Sequence, residues 1–287
     1  MRLINANYYP ATIFCRFPQP AFIENIAGDN QGNLYVTSID EGKVYKVDSV
    51  GKAEDYAAVE GRLAGIVSVD EKSFVCGGWS ADGTSTIYHL NAQRRLMPRL
   101  SLPEALFLNG MTKLGPDSFL ICDAYAGLIW KYDLVSNQAI PWLRHELLTR
   151  IDPGNPMPAA NGIKIYDQTI FVSNTARNLL LAIPLIADRP GEPEIFLDDV
   201  NFDDFAIDPG GTIYATTHIF NSVIEIKPGK QLSVIAGIEH GLAGSTAALL
   251  GRTGKDRRIL YVTTNGGLSF PPASGLEDGK IVKIGLR

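Results

Sequence analysis

At 287 residues and a formal net charge of -5, the chain offers no long-range attraction to nucleic acid or to an anionic membrane surface. It contains no apolar run approaching the roughly 18 residues that would suggest a membrane-crossing helix. Three cysteines, Cys15, Cys76 and Cys122, stand in strand-like contexts without paired spacing and read as buried, reduced thiols of a cytoplasmic protein.

The N-terminus, MRLINANYYPATIFCRF, has neither the basic n-region nor the continuous apolar core of a secretory signal. Within it, Ala11 to Phe17 forms one strand-like run. From residue 22 a pattern begins that recurs with a period of roughly 40 to 50 residues. Each copy has a polar anchor, a short apolar run, a Gly-rich turn, a β-branched strand, a polar loop and a second alternating strand. The first copy, residues 22–61, reads ENIAGDNQGNLYVTSIDEGKVYKVD from Glu24, and its LYVT and KVYKV segments alternate as half-buried strands do. The second, residues 63–106, opens with LAGIVSVDEKSFVCGG and becomes more polar. The third, residues 107–147, carries LNGMTKLGPDSFLICDAYAGLIWKYD from Leu108, and WLRHELLTRI from Trp142 reads as a short helix or as an outer strand and loop.

Residues 152–160, DPGNPMPAA, form a rigid, turn-rich connector. Because it leads straight into an inner strand, it is expected to lie over the mouth of the ring. The fourth copy, ANGIKIYDQTIFVSNTARNLLLAIP from Ala160, extends to residue 199 with an outer strand near EIFLDD. The fifth, DDFAIDPGGTIYATTHIFNSVIEIKP from Asp203, is the clearest of the set. The sixth starts AGSTAALLGRTGKDRRILYVTTNGG at Ala243, contains the long loop NGGLSFPPASGLEDGK and finishes GKIVKIGLR. Six such copies predict one all-β domain, a six-bladed β-propeller with blades starting near residues 24, 64, 109, 161, 203 and 245. The run at Ala11–Phe17 is expected to pair into the last blade and close the ring, which removes a free sheet edge.

Antiparallel strands put alternate connections on opposite faces of the disc. Inner-strand starts and the loops between second and third strands therefore share one face. The starts are Glu24, Ala64, Asn109, Asn161, Asp203 and Ser245; the loops add Asp40, Trp79, Asp123, Tyr125, Asn174, His218 and Asn265. Glu24, Asn109, Asn161 and Asp203 bring two carboxylates and two amides to matching positions, the oxygen mixture that a hard cation such as Ca²⁺ prefers. Taken singly, each is as readily explained as a polar cap on a strand end.

ENIAGDNQGNLYVT, LNGMTKL, ANGIKIYDQTIFVSN and DDFAIDPGGTIYATT together resemble the senescence marker protein/gluconolactonase family of six-bladed propellers over nearly the full chain. The resemblance implies one divalent metal, usually calcium, held by Glu24, Asn109, Asn161 and Asp203, with Asp204 a rival one residue out of register. It implies metal-assisted lactone hydrolysis, in which Asp203 takes a proton from the attacking water. The sequence departs from the sugar-lactonase pattern where an Arg usually precedes the first metal-binding Asn, since Phe107 and Leu108 stand there instead. With Trp79, Phe107, Tyr125 and Phe270 around the mouth, and Asn109 and Asn174 as polar contacts, a flatter and more apolar substrate is expected. The C-terminal third looks closest to a subgroup found beside natural-product biosynthetic genes, some members of which are cyclases of the hetero-Diels-Alder kind. The alternatives are therefore a natural-product cyclase working in a shaped apolar pocket and a small-molecule-binding propeller without activity.

His218 follows a strand on the same face and is a candidate general base or hydrogen-bond donor. His89, His145 and His240 lack metal-ligand spacing with one another. No serine sits in a G-x-S-x-G elbow. Oligomeric state leaves no mark in the sequence.

Overall fold

The computed structural model of the protein describes residues 4–287. Each repeat turns its β-branched run into a second strand buried from end to end, as in Leu34–Ser38, Ile213–Thr217 and Phe119 to Asp123 of Ser118–Asp123. Such strands have neighbours on both faces, and their near-continuous apolar runs are the sequence mark of it.

Six antiparallel sheets follow in chain order. Blade one is Ile23–Gly28, Leu34–Ser38, Lys43–Val47 and Ala53–Ala58. Blade two runs Gly61–Ser68 to Leu96–Ser101, and blade three Leu108–Lys113 to Gln138–Arg144. Blade four contains Ala160–Tyr166, Thr169–Asn174 and Leu179–Ile186, with Arg189–Pro190 and Glu194–Leu197 on its outer edge. Blade five runs Phe205–Ile207 to Leu232–Ala236. Blade six orders Ser245–Leu250, Ile259–Thr264, Gly279–Gly285 and finally Ala11–Phe17. The N-terminal strand thus closes the ring as expected, from Ala11 opposite Ile284 to Phe17 opposite Gly279.

The apolar clusters lie between neighbouring sheets rather than inside any one of them. Val75 and Ile87 of blade two pack with Phe119, Ile121 and Trp130 of blade three. Tyr214 and Val223 of blade five pack with Leu260 and Val262 of blade six. No blade buries its faces alone, so the stability of the ring is collective. The Trp142 region is the end of the strand Gln138–Arg144, followed by a short 3₁₀ turn at Glu146–Leu148. Among the described residues helix is confined to four such 3₁₀ turns, and none of them is long or apolar enough to cross a membrane. The three cysteines are free and buried.

One feature of the inner strands positions the site. In blades one, three and four the register slips at the start of the innermost pair: Ile23 to Ile26 opposes Ser38 to Val36, Leu108 to Met111 opposes Asp123 to Ile121, and Ala160 to Ile163 opposes Asn174 to Val172. Two residues on the inner strand face one on its neighbour, which is a β-bulge, a device that re-aims a side chain. Glu24, Asn109 and Asn161 are the first residues of these bulges. In blades one and four a hydroxyl on the facing strand takes the N–H of the second bulge residue. Asn25 N–H donates to Thr37 Oγ1 (3.1 Å) and Gly162 N–H to Ser173 Oγ (2.7 Å), while in blade five Asp204 N–H donates to Thr216 Oγ1 (3.1 Å). The same hydroxyls donate onward to the next blade, Thr37 to Ala64 O (2.6 Å), Ser173 to Asp203 O (2.6 Å) and Thr216 to Thr246 O (2.7 Å). At the crossing of blades three and four the inner strands come so close that a Cβ on Gly110 would lie 2.0 Å from Asn161 O.

Candidate active site

The side chains of the three bulges and of Asp203 converge. Asn109 Nδ2 donates to Glu24 Oε1 (2.9 Å) and to Asn161 Oδ1 (2.7 Å). Asn161 Nδ2 donates to Asp203 Oδ1 (2.5 Å) and to Thr175 Oγ1 (3.1 Å). On the other side of Asp203, His218 Nδ1 lies 2.8 Å from Oδ2, and His218 Nε2 lies 3.2 Å from Asn265 Nδ2. Four blades therefore contribute to one continuous polar chain of five residues from Glu24 to His218, and a sixth, Asn265 of blade six, extends it. Glu24, Asn109, Asn161, Asp203 and His218 are all buried. Burial, reinforced by the charge of Asp203 nearby and opposed by the hydrogen bond from Asn109, holds the Glu24 carboxyl well above the ordinary carboxylate range.

Asp204 faces away from this cluster and pairs with Lys164 at 2.6 Å. The neighbouring carboxylates of the DD pair thus divide: Asp203 joins the site, and Asp204 ties blade five to blade four.

Above the polar chain sits a cavity of about 420 Å³. Its floor is Glu24, Asp203, His218 and Thr175, and its wall is aromatic. Trp79 and Phe107 have ring centroids 4.9 Å apart, and Phe107 meets Tyr125 edge-on at 5.1 Å. Trp79 is held by its Nε1 donating to Leu106 O (3.0 Å). Asp123 accepts from the backbone N–H groups of Leu106 and Phe107, each at 3.0 Å, so this second-loop carboxylate serves to shape the wall. Phe22, Ile39 and Phe270 complete the apolar lining. The connector places Pro156, Met157 and Pro158 against the cavity. It is fastened by Arg150, which donates to Asn155 O (2.8 Å) and Tyr125 O (3.1 Å) while its guanidinium lies over the Tyr125 ring.

Asn174 is placed differently from the sequence expectation. Its Nδ2 donates to Leu147 O (2.9 Å) and Thr149 O (3.0 Å), and its Oδ1 caps the 3₁₀ turn by accepting from Arg177 N–H (3.2 Å). It holds blade three to blade four and does not line the cavity; Thr175, one residue on, does. Capping is the commonest employment of an Asn at the entrance to a helical turn, and that competing role outweighs loop position. Asp40 pairs with Arg62 (3.2 Å), whose guanidinium lies over Trp79 and which lines the cavity. Arg62 and Asn25 are the site residues that pattern reading passed over, whereas Asn265 stands on the face where the second loops were expected. Asn25, which donates from Nδ2 to Asn109 Oδ1 (2.7 Å), was hidden by the bulge, because regular alternation sends the residue after Glu24 to the opposite face.

In chemistry the donors fit a hard divalent cation: two carboxylates and two carboxamides, with the raised Glu24 carboxyl the sign of negative charge crowded into a buried space. Among the described residues no cluster of three or more His, Cys, Asp or Glu side chains stands in metal-ligating arrangement, so the carboxamides are essential to such a site. Ligation would require Asn109 and Asn161 to turn their oxygens inward, giving up the contacts to Asn25 and Thr175 that now set their orientation.

No family profile matches the chain. A proposed hetero-Diels-Alderase from Phoma sp is 26% identical over 333 aligned positions, which span 96% of this chain and 91% of that protein. Among solved structures, the calcium-binding protein regucalcin of Agrobacterium tumefaciens superposes with a TM-score of 0.74 at 14% identity, covering 99% of this chain and 96% of that one. A gluconolactonase of Xanthomonas campestris superposes with a TM-score of 0.71 at 13% identity, covering 98% and 97%. The structural neighbours are thus six-bladed propellers of the gluconolactonase and regucalcin kind, and at these identities the likeness is one of fold.

Proposed function

We propose that the chain is a cyclase of small-molecule metabolism, one that closes an oxygen-containing ring by a hetero-Diels-Alder type of addition within a largely apolar substrate. The observation that carries this reading is the wall of Trp79, Phe107 and Tyr125 standing over a compact acid–base floor. A planar conjugated carbonyl compound lies against such a wall in a folded, reactive conformation, and holding the reacting ends together accounts for much of the rate of an addition of this kind. The Glu24 carboxyl, raised towards its protonated form, donates a hydrogen bond to the substrate carbonyl and makes the heterodiene more electrophilic. The full-length similarity to a proposed hetero-Diels-Alderase supports the same class.

The donor set supports a second reading, hydrolysis of an apolar lactone or ester. A Ca²⁺ ion held by Glu24, Asn109, Asn161 and Asp203 would supply Lewis acidity to the carbonyl. In that reading Asp203 takes the proton of the attacking water, and the aromatic wall selects the acyl or alcohol portion.

One comparison separates them. Purified protein is offered conjugated carbonyl compounds bearing an alkene and, separately, aromatic and aliphatic lactones, each with and without chelator. Chelator-insensitive ring closure that is lost in Phe107→Ala and in Glu24→Ala supports the cyclase. Lactone hydrolysis abolished by chelator, together with a Ca²⁺-dependent rise in Tm that disappears in Asn161→Ala, replaces it with the hydrolase.

A further inference from the structure

We infer that Asn265 is a positioning residue that locks His218 in its Nδ1–H tautomer, making His218 a hydrogen-bond donor to Asp203. The inference rests on reading this cavity as an acid–base site and goes on to say in which direction the hydrogen bond of the pair runs.

Two independent ends of the imidazole lead to the same tautomer. At one end, Nδ1 lies 2.8 Å from Asp203 Oδ2, and a carboxylate oxygen requires a proton on the nitrogen that faces it. At the other end, Nε2 faces the Asn265 carboxamide, whose orientation is settled by a third group: Gly267 N–H donates to Asn265 Oδ1 (2.9 Å), so it is the Nδ2 group that meets Nε2 at 3.2 Å. An amide N–H beside Nε2 demands a lone pair there. Gly244 packs so closely on the carboxamide that a Cβ there would lie 1.9 Å from Asn265 Oδ1, and Asn265 itself is completely buried. The rings of Phe22 and Phe270 flank the imidazole, with centroids 6.4 and 6.2 Å away.

The consequence is a division of labour that the residue types alone do not reveal. Both nitrogens of His218 are engaged, Nδ1 with Asp203 and Nε2 with the Asn265 carboxamide. Asp203 receives donors on both oxygens, Asn161 Nδ2 on Oδ1 and His218 Nδ1–H on Oδ2. Asn265 thus acts on the reaction through His218 without contact with the reacting atoms.

Long-range ¹H–¹⁵N correlation spectra of histidine-labelled protein at about pH 8, where an ordinary imidazole is neutral, read the tautomer directly, with the His218 signals identified by their loss in His218→Asn. The expected wild-type pattern is a protonated Nδ1 and an unprotonated Nε2. In Asn265→Asp an acceptor replaces the donor at equal size, and Nε2 is expected to gain a proton. A wild-type spectrum with the proton on Nε2, or an Asn265→Asp spectrum identical to wild type, overturns the inference. Should Asn265→Asp fail to fold, the wild-type pattern still decides. Because the readout is independent of turnover, a locked tautomer in a protein that performs neither proposed reaction removes the proposed function alone.

Discussion

Asp203 and His218 touch, yet the roles assigned to them make opposite demands on substitution. Asp203→Asn keeps the shape and removes the proton acceptor, so turnover is expected to fall by about 10²- to 10⁴-fold, the usual range for loss of an acid–base group. His218→Asn places an amide N–H near the position of Nδ1–H and should hold turnover within about tenfold; loss comparable to Asp203→Asn would instead make the histidine the base. Far from the site, Asp133 shows how a lone carboxylate couples stability to pH. The Ser136 backbone N–H, at 2.7 Å, holds its carboxyl below the ordinary range. A carboxyl lowered by folding stabilises the protein at every pH above its unfolded value of about 3.9, and the contribution disappears as pH falls through the lower folded value. Asp133→Ala is therefore expected to lower Tm at neutral pH by an amount that persists to about pH 4 and vanishes below it.

At the scale of the strand, the bulges convert a repeat into a site. A regular inner strand would send Glu24, Asn109 and Asn161 to alternate faces according to register, whereas a two-against-one slip at the same point of each blade turns all three towards the axis. The hydroxyls of LYVTS and TIFVSN take the N–H groups of the first and fourth blades' bulges, and with that of IYATT in blade five they bind these strands to the next blade. Ser173 carries both bonds at once, accepting from Gly162 N–H and donating to Asp203 O. Ser173→Ala removes both bonds, leaving Gly162 N–H to Asp203 O alone (3.2 Å), and is expected to cost about 1–3 kcal/mol in urea unfolding, at about 0.5–1.5 kcal/mol for each bond lost. It also loosens the backbone of Asp203, so weakened turnover should accompany the lost stability; a variant as stable as wild type would show that the bulge does not need the hydroxyl.

The closure of the ring belongs to the molecule as a whole. Ala11–Phe17 fills the outer edge of blade six, and the segment before it runs along blade five, with Asn7 N–H donating to Val234 O and Tyr9 N–H to Ile235 O, each at 2.8 Å. Tyr9 Oη then reaches across to the buried Glu225 Oε1 at 2.8 Å. The N-terminus therefore latches two blades, not one. Deleting residues 1–17 would expose the edge of Gly279–Gly285 and at the same time remove the Tyr9 hydroxyl from Glu225. The truncated chain is expected to lose its single sharp thermal transition and to self-associate through the open edge, which light scattering and calorimetry would detect; a monomer with an unchanged Tm would contradict the double latch.

The number of blades, the strand that closes them and the four residues Glu24, Asn109, Asn161 and Asp203 were legible in the order of residues, because repetition at a constant spacing survives without coordinates and identical positions in repeated units must share a face. Hydrogen-bond direction and competition between partners were not. Whether Asn174 caps a turn or enters the cavity, whether Asp203 or Asp204 turns inward, and which nitrogen of His218 carries the proton each depend on groups brought in from other blades: Leu147 and Thr149, Lys164, and Asn265 with Gly267. A polar side chain goes to the partner that leaves fewest buried groups unsatisfied, and those partners become neighbours only when the ring is closed.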